Sequence, residues 1–131
     1  MIVLDGYEPA PPSPRTSERI VVALEGELDI ASAPVLSVVG QTVRDHPGAH
    51  VLVDLTDVTF LDAAALRAFV RAREGARAGG GDLSLHGARP FARGLLELWR
   101  LGPVGPAVRA DDSVPRLAVP HPRSDADRRS S

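Results

Sequence analysis

Three segments of the chain carry the apolar patterns that predict β-strands. Residues 82–86 alternate apolar and polar side chains, as a half-buried strand does. Residues 19–28 predict a strand with Ile20, Val22 and Leu24 on one face. Residues 51–55 form a nearly continuous, β-branched-rich apolar run, which is typical of a strand buried on both faces. We expect this strand to end near Leu55, with residues 56–61 as a short connector to the next element.

Three further segments place apolar residues three and four positions apart, which predicts amphipathic helices. They lie within residues 29–47, over residues 63–78, and from Pro90 to the Gly102-Pro103 pair. The positions expected to face the core are Val35, Leu36, Val39 and Val43 in the first helix, Leu66, Phe69 and Val70 in the second, and Ala92, Leu95, Leu96 and Trp99 in the third.

The second helix has the clearest start of the three. Asp62 directly precedes a run of strong helix formers, so its carboxylate can accept backbone N–H bonds that the first turn leaves unpaired. Leu61 and Leu66 then flank this cap at the spacing of a hydrophobic staple. For the first helix, either Ser32 or Asp29 can serve as the cap.

Proline positions divide the chain into three parts. Residues 1–18 carry prolines at 9, 11, 12 and 14, which exclude a central strand or a helix there, although residues 2–4 can form an edge strand. Residues 19–118 are assigned to one domain, with a last short strand expected at residues 106–110. Residues 119–131 are polar and charged and are expected to be a disordered tail.

The order of these elements predicts an α/β fold. Alternation of strand and helix implies right-handed crossovers, and therefore parallel neighbouring strands in a sheet that carries helices. A length of 131 residues with 44% apolar content fits a single domain with one core.

Charge and composition exclude several classes of protein. A net charge of −2 and a pI near 6.0 provide no basic field for nucleic acid or an anionic membrane. The absence of cysteine excludes disulfides and thiolate metal sites. No apolar run reaches the roughly 20 residues of a membrane span. Because no charged and apolar leader is recognisable either, the expected location is the cytoplasm.

No motif for catalysis or for a cofactor stands out. The glycines at residues 79–81 follow a helix and lack a Gly-Lys-Ser/Thr ending, so we interpret them as a helix terminator. Ser32 and Ser84 belong to no recognisable nucleophile motif. Metal-ligand spacing is missing from the four histidines, which are His46, His50, His86 and His121. The chain is therefore expected not to be an enzyme and to need neither cofactor nor metal.

Two motifs resemble the STAS domain of bacterial anti-sigma factor antagonists. They are GELDIASAP at residues 26–34 and VDLTDVTFLDAAAL at residues 53–66. The resemblance covers residues 19–118 and implies a STAS fold: four or five strands in a mixed sheet, helices mainly on one face, and the second motif at the rim of the sheet. It also implies a final helix over residues 111–118, which Pro115 weakens.

The resemblance implies a phosphorylation switch from which this sequence departs. In the family, the second motif ends in an Asp-Ser-Ser/Thr-Gly-Leu type sequence, and the partner anti-sigma kinase phosphorylates the serine that follows the aspartate. The matching residues run from Asp62 to Leu66, with Ala63 at the acceptor position. Because Ala63 has no hydroxyl, this position carries no phosphoacceptor and cannot acquire the added charge of about −1.5 to −2. Ala65 in place of glycine should favour the helix by about 0.8–1 kcal/mol.

The resemblance also indicates which residues meet the partner. Asp29 and Asp62 match family residues near the phosphorylation site, but each is also a good helix cap, so recognition and capping stay alternative roles. The expected partner-binding residues are Asp29, Ser32, Thr59, Phe60, Asp62, Ala63, Ala64 and Leu66. The second helix also has a charged stripe, either a solvated face or a docking surface for an acidic partner, made of Arg67, Arg71, Glu74 and Arg77.

The predicted function is that of a protein-binding STAS module. As an anti-sigma factor antagonist it would bind a serine-kinase-type anti-sigma factor and release a sigma factor, with no phosphorylation control at the usual position. The alternatives are an accessory or scaffold subunit of a transport or signalling complex, and a degenerate paralogue without a partner. Neither nucleic-acid binding nor insertion into a membrane is expected, and the unbound chain is expected to be a monomer.

Overall fold

The computed structural model describes residues 18–29, 32–108 and 115–119. Its elements are β1 (Arg19–Leu28), α1 (Ala33–Asp45), β2 (His50–Leu61), α2 (Ala63–Ala78), β3 (Asp82–His86), α3 (Pro90–Leu98) and β4 (Arg116–Val119). The Pro-rich segment with its possible edge strand and nearly all of the expected tail lie outside the described residues. Within the described part of the chain, no helix combines the length and apolar character needed to cross a membrane.

The four strands form one sheet in the order β3-β2-β1-β4, and each neighbouring pair is parallel. This arrangement confirms the predicted α/β fold with four strands. All pairs among the described strands are parallel, so the mixed sheet that the resemblance implied is not seen in this part of the chain. The possible edge strand at residues 2–4 lies outside the described residues. The connections β1-α1-β2 and β2-α2-β3 step across the sheet in one direction, so right-handed crossovers put α1 and α2 on the same face.

The core lies between this face of the sheet and the helices. Val22, Val53 and Leu55 are fully buried on the central strands and join Phe69 of α2 in one apolar cluster. All four predicted core positions of α1 are buried. Of the three predicted in α2, Leu66 and Phe69 are buried and Val70 is half-buried. Leu95 of α3 departs from the prediction, because 36% of it remains exposed.

Strand β2 extends six residues beyond the predicted end, to Leu61. Pairing with β1 continues because β2 holds an extra residue at each of two register shifts, opposite the steps Ala23/Glu25 and Gly26/Glu27. Such bulges let a strand continue through a segment whose apolar alternation is broken. The predicted connector is therefore part of the sheet, and Asp62 alone separates β2 from α2.

The last element also differs from the prediction. Residues 106–108 form no strand, and the expected final helix is replaced at its end by β4. β4 pairs with β1 at the edge of the sheet, and the Val21 N–H donates to the Pro115 carbonyl at 2.9 Å. An edge position tolerates proline at the start of a strand, since no ladder bond requires its missing N–H.

Candidate partner-binding rim

The carboxyl ends of β1 and β2 meet at one edge of the sheet. Leu28 and Leu61 are paired in register, and the Asp62 N–H donates to the Leu28 carbonyl at 3.1 Å. Asp29 and Asp62 follow these two leucines directly. Two parallel strands thus place at one edge of the sheet two aspartates that are 33 positions apart in the chain.

Asp62 caps α2 as predicted. Its Oδ1 accepts hydrogen bonds from the N–H groups of Ala64 at 2.9 Å and Ala65 at 3.2 Å. Leu61 and Leu66, the predicted staple, are both buried in the apolar core cluster. Because both capping bonds use one oxygen, the second carboxylate oxygen is not needed to cap the helix.

Ser32 has a different role from the predicted one. It occupies the N-cap position of α1 but makes no side-chain capping bond, and it is fully buried. Its hydroxyl donates to the Glu27 carbonyl at 2.8 Å and accepts from the Asp29 N–H at 3.1 Å, while Asp29 Oδ1 lies 3.4 Å away. Ser32 therefore holds the turn that presents Asp29, and it offers no surface to a partner.

The remaining predicted site residues divide by exposure. Thr59, Phe60 and Ala63 are exposed, and Asp29, Asp62 and Ala64 are half-buried. Leu66 is 2% exposed, so it supports the site from the core and cannot contact a partner directly. We use "the rim" for the accessible set, which consists of Asp29, Thr59, Phe60, Asp62, Ala63 and Ala64.

A groove of about 430 Å³ runs from the rim between α1 and α2. Asp29 lines it near the rim, and Arg44 and Arg71 line it further along the two helices. Most of the remaining lining is small: Ala33, Ser37, Gly40, Ala64, Ala68, Ala72 and Gly75. A Cβ at Gly40 would lie 3.4 Å from Arg44 Nη1, which is an ordinary contact with the end of a flexible side chain, so packing here does not require a glycine.

The charged stripe of α2 is linked to β3 by an ion pair of Arg77 with Asp82. Arg77 Nε lies 3.0 Å from Asp82 Oδ1, and Arg73 Nε lies 3.5 Å from the same oxygen. Arg77 of the stripe therefore forms an ion pair with β3. Desolvation acts to raise the pKa of Asp82, but the Leu83 N–H bond and the two arginines outweigh it and lower the pKa.

A second polar cluster lies on the sheet face opposite the core. Ser84 Oγ is 2.9 Å from His50 Nε2 and 2.7 Å from His86 Nε2, and His86 Nδ1 is 3.1 Å from the Pro106 carbonyl. If both rings are neutral, His86 donates through Nδ1, so Ser84 donates to His86 and accepts from His50. Sequence spacing did not reveal this cluster, because His50 reaches it from a neighbouring strand.

Burial lowers the pKa of His50, and Arg19 and His86 act in the same direction against the opposing effect of Asp82. The neutral ring is thus the form that the folded chain favours. No group of three or more His, Cys, Asp or Glu side chains within the described ranges is arranged to hold a metal ion. His121 lies outside those ranges.

The family model described as "Mlab, STAS domain" matches residues 13–106, and the chain therefore belongs to the STAS domain family. A comparison with curated protein sequences finds no match.

Solved structures support the same fold. The unphosphorylated form of the anti-sigma factor antagonist SpoIIAA has a TM-score of 0.59 and 17% identity, covering 87% of this chain and 90% of that one. The phosphorylated form of SpoIIAA from Bacillus has a TM-score of 0.54 and 17% identity, with coverage of 87% and 92%. The STAS domain of a SulP transporter from Vibrio cholerae has a TM-score of 0.56 and 18% identity, with coverage of 78% and 80%.

Proposed function

We propose that this chain is an anti-sigma factor antagonist that lacks phosphorylation control at the usual position. It binds a serine-kinase-type anti-sigma factor through the rim, in the bacterial cytoplasm, and thereby releases a sigma factor for transcription. Similarity to SpoIIAA over most of both chains supports this proposal. The exposed Thr59, Phe60 and Ala63 beside two half-buried aspartates supply an accessible surface for the contact.

The observation that carries the proposal is the environment of Ala63. It is the first residue of α2, it is exposed, and it directly follows the Asp62 cap. A serine at this place would present its hydroxyl to a kinase beside the positive end of the helix dipole. Because alanine cannot accept a phosphate at this position, the rim keeps the charge of an unphosphorylated surface.

A STAS subunit of a transport complex is the second candidate. One observation favours it: structural similarity to the STAS domain of a SulP transporter. Affinity purification followed by mass spectrometry separates the two candidates. Recovery of an ATPase-fold anti-sigma factor supports the first, and recovery of transporter subunits supports the second.

The experiment that tests the antagonist proposal restores the missing hydroxyl with Ala63→Ser. The kinase partner should phosphorylate the introduced serine, and the phosphorylated variant should bind that partner more than about tenfold more weakly than wild type. Ala78→Ser, at the exposed far end of α2, is the matched control and should stay unmodified.

Mass spectrometry locates the phosphate and calorimetry gives the affinities. An Ala63→Ser variant that binds the kinase normally but is never modified would favour the transport-complex candidate. Phosphate on Thr59 of the wild type, with loss of binding, would show that the chain has a switch after all.

A further inference from the structure

Ser84 is the central residue of the polar cluster on the sheet face opposite the core. It lies on β3 between two buried leucines and is itself half-buried. Its Oγ is 2.7 Å from His86 Nε2 and 2.9 Å from His50 Nε2. A nucleophilic serine and its base lie about 2.6–3.2 Å apart in enzymes. Both histidines are therefore within the distance at which an imidazole can take the serine proton.

The backbone next to His86 fixes the orientation of its ring and the position of its proton. His86 Nδ1 lies 3.1 Å from the Pro106 carbonyl, which can only accept, so the neutral ring carries its proton on Nδ1. The ring also packs on bare backbone, because a Cβ at Gly105 would lie 2.6 Å from His86 Nδ1. Gly105 is held to β3 by bonds to the Leu85 carbonyl and the Gly87 N–H. His86 Nε2 is thus a fixed acceptor for the serine proton.

His50 reaches the same hydroxyl from the neighbouring strand. A serine hydroxyl has one proton, and in this arrangement Ser84 donates it to His86. His50 therefore meets Ser84 as a donor, through a proton on its own Nε2. Burial lowers the pKa of His50 and so favours the neutral ring with this single proton. A donor directed at Oγ also stabilises the negative charge that develops there when the serine loses its proton.

We propose that Ser84 is a nucleophile that accepts activated acyl groups, with His86 as its general base. Ser84 Oγ attacks the carbonyl carbon of an ester, thioester or acyl phosphate, and its proton passes to His86 Nε2. The bond between that carbon and the leaving group breaks, the leaving group departs with the bonding electrons, and His86 returns its proton to water. The product is an O-acyl serine. The Pro106 carbonyl orients the base, as the third group of a catalytic triad does.

A single modification is expected at Ser84, and not turnover. Ser84 pairs with Leu52 inside a regular parallel ladder. Serine hydrolases instead place the nucleophile on a sharp turn after a strand, beside backbone N–H groups that bind the oxyanion. We therefore expect the acyl group to be transferred once and to stay on Ser84. The site lies on the opposite face of the sheet from α1 and α2, and it does not depend on the function proposed for the rim.

Incubation of the full chain with p-nitrophenyl acetate tests the proposal. The chain has neither lysine nor cysteine, so the side chains that acyl donors most often modify are absent. Wild type should release nitrophenolate and gain an acetyl group that peptide mapping by mass spectrometry places on Ser84. Ser84→Ala should lose this acetylation. Ser37→Ala, which removes an exposed serine of α1, is the matched control and should be acetylated on Ser84 like wild type.

Substitution of each histidine tests its role. Glutamine in His86→Gln can still accept a hydrogen bond from Ser84 but cannot take up its proton, so acetylation should slow by about 100-fold or more. His50→Gln keeps an N–H donor and should slow the reaction less. Thermal melts check that both variants fold. Wild type in denaturing urea gives the same test without a substitution, because unfolding should abolish the preference for Ser84 over Ser37.

Three results would overturn the proposal. The first is a folded wild type that is acetylated on Ser84 no faster than on Ser37. The second is a folded His86→Gln variant that reacts at the wild-type rate, since His86 would then not be the base. The third is a short-lived acetyl group on His50 or His86 in place of Ser84, which would make an imidazole the nucleophile.

Discussion

Asp62 has two candidate roles, capping α2 and contacting a partner, and two substitutions distinguish them. Asp62→Asn keeps a side-chain oxygen that can accept from the N–H groups of Ala64 and Ala65, but it removes the charge. Asp62→Ala removes both the acceptor and the charge. If Asp62 acts in both roles, the first variant should lose mainly affinity, and the second should lose stability as well.

The structure sets the expected sizes of these losses. Loss of an N-cap side chain costs about 0.5–2 kcal/mol. We expect Asp62→Ala to lie in the upper half of that range, because two bonds of 2.9 and 3.2 Å are lost and Ala65 is fully buried. Asparagine caps about as well as aspartate, so Asp62→Asn should lose only the charge–dipole interaction of roughly 0.3–1 kcal/mol.

Urea unfolding at neutral pH measures both stabilities, and a thermal melt should show a shift of about 3–6 °C per kcal/mol for a chain of this length. Calorimetry with the anti-sigma factor measures affinity. Equal destabilisation by Asp62→Asn and Asp62→Ala would refute the view that the oxygen, and not the charge, caps the helix. An unchanged affinity of Asp62→Asn would remove the Asp62 charge from recognition.

Three further predictions address the rim, the core and the effect of pH. Asp29→Arg should weaken partner binding while unfolding stays cooperative, since even a lost helix cap costs only about 0.5–2 kcal/mol of a typical 5–15 kcal/mol. Unfolding of the variant, or unchanged affinity, contradicts the place of Asp29 in the rim. Leu55→Ala should cost about 2–5 kcal/mol in urea unfolding, because Leu55 is fully buried; a loss below about 1 kcal/mol contradicts this packing. The pKa of His50 is lowered in the folded chain, so folding favours the neutral ring. The stability that this neutral ring contributes is full above about pH 6.5 and declines as pH falls toward the folded pKa. His50→Gln should therefore flatten the stability curve just below about pH 6.5, and an unchanged slope refutes this coupling.

Features determined by neighbouring residues could be predicted from the sequence. The start of α2 at Asp62 depends on a carboxylate within two or three residues of the N–H groups that it accepts from. Its end depends on the glycines that follow, where Gly80 has a φ of 92° and the Gly81 N–H donates to the Ala76 carbonyl at 2.9 Å. The absence of a hydroxyl at Ala63 is a property of the sequence itself, as are the two motifs that indicated the family.

Features that depend on residues distant in sequence were decided by the tertiary structure. β2 reaches Leu61 only because β1 supplies hydrogen-bonding partners across two bulges, which a broken apolar alternation does not reveal. β4 forms because the edge of β1 can pair with Arg116–Val119, the four residues that follow Pro115.

The positions of several side chains also depend on residues distant in sequence, and the sequence could not predict them. Ser84 meets two histidines because β2 and β3 pair in one register. Ser32 makes no capping bond, and its hydroxyl bonds to Glu27 and Asp29 instead. The apolar residues of α3 predicted a helix, but only packing decided that Leu96 enters the core while Leu95 and Leu98 stay at the surface. A short helix with apolar residues on two sides has no local signal for which side is buried, because burial is set by the elements packed against it.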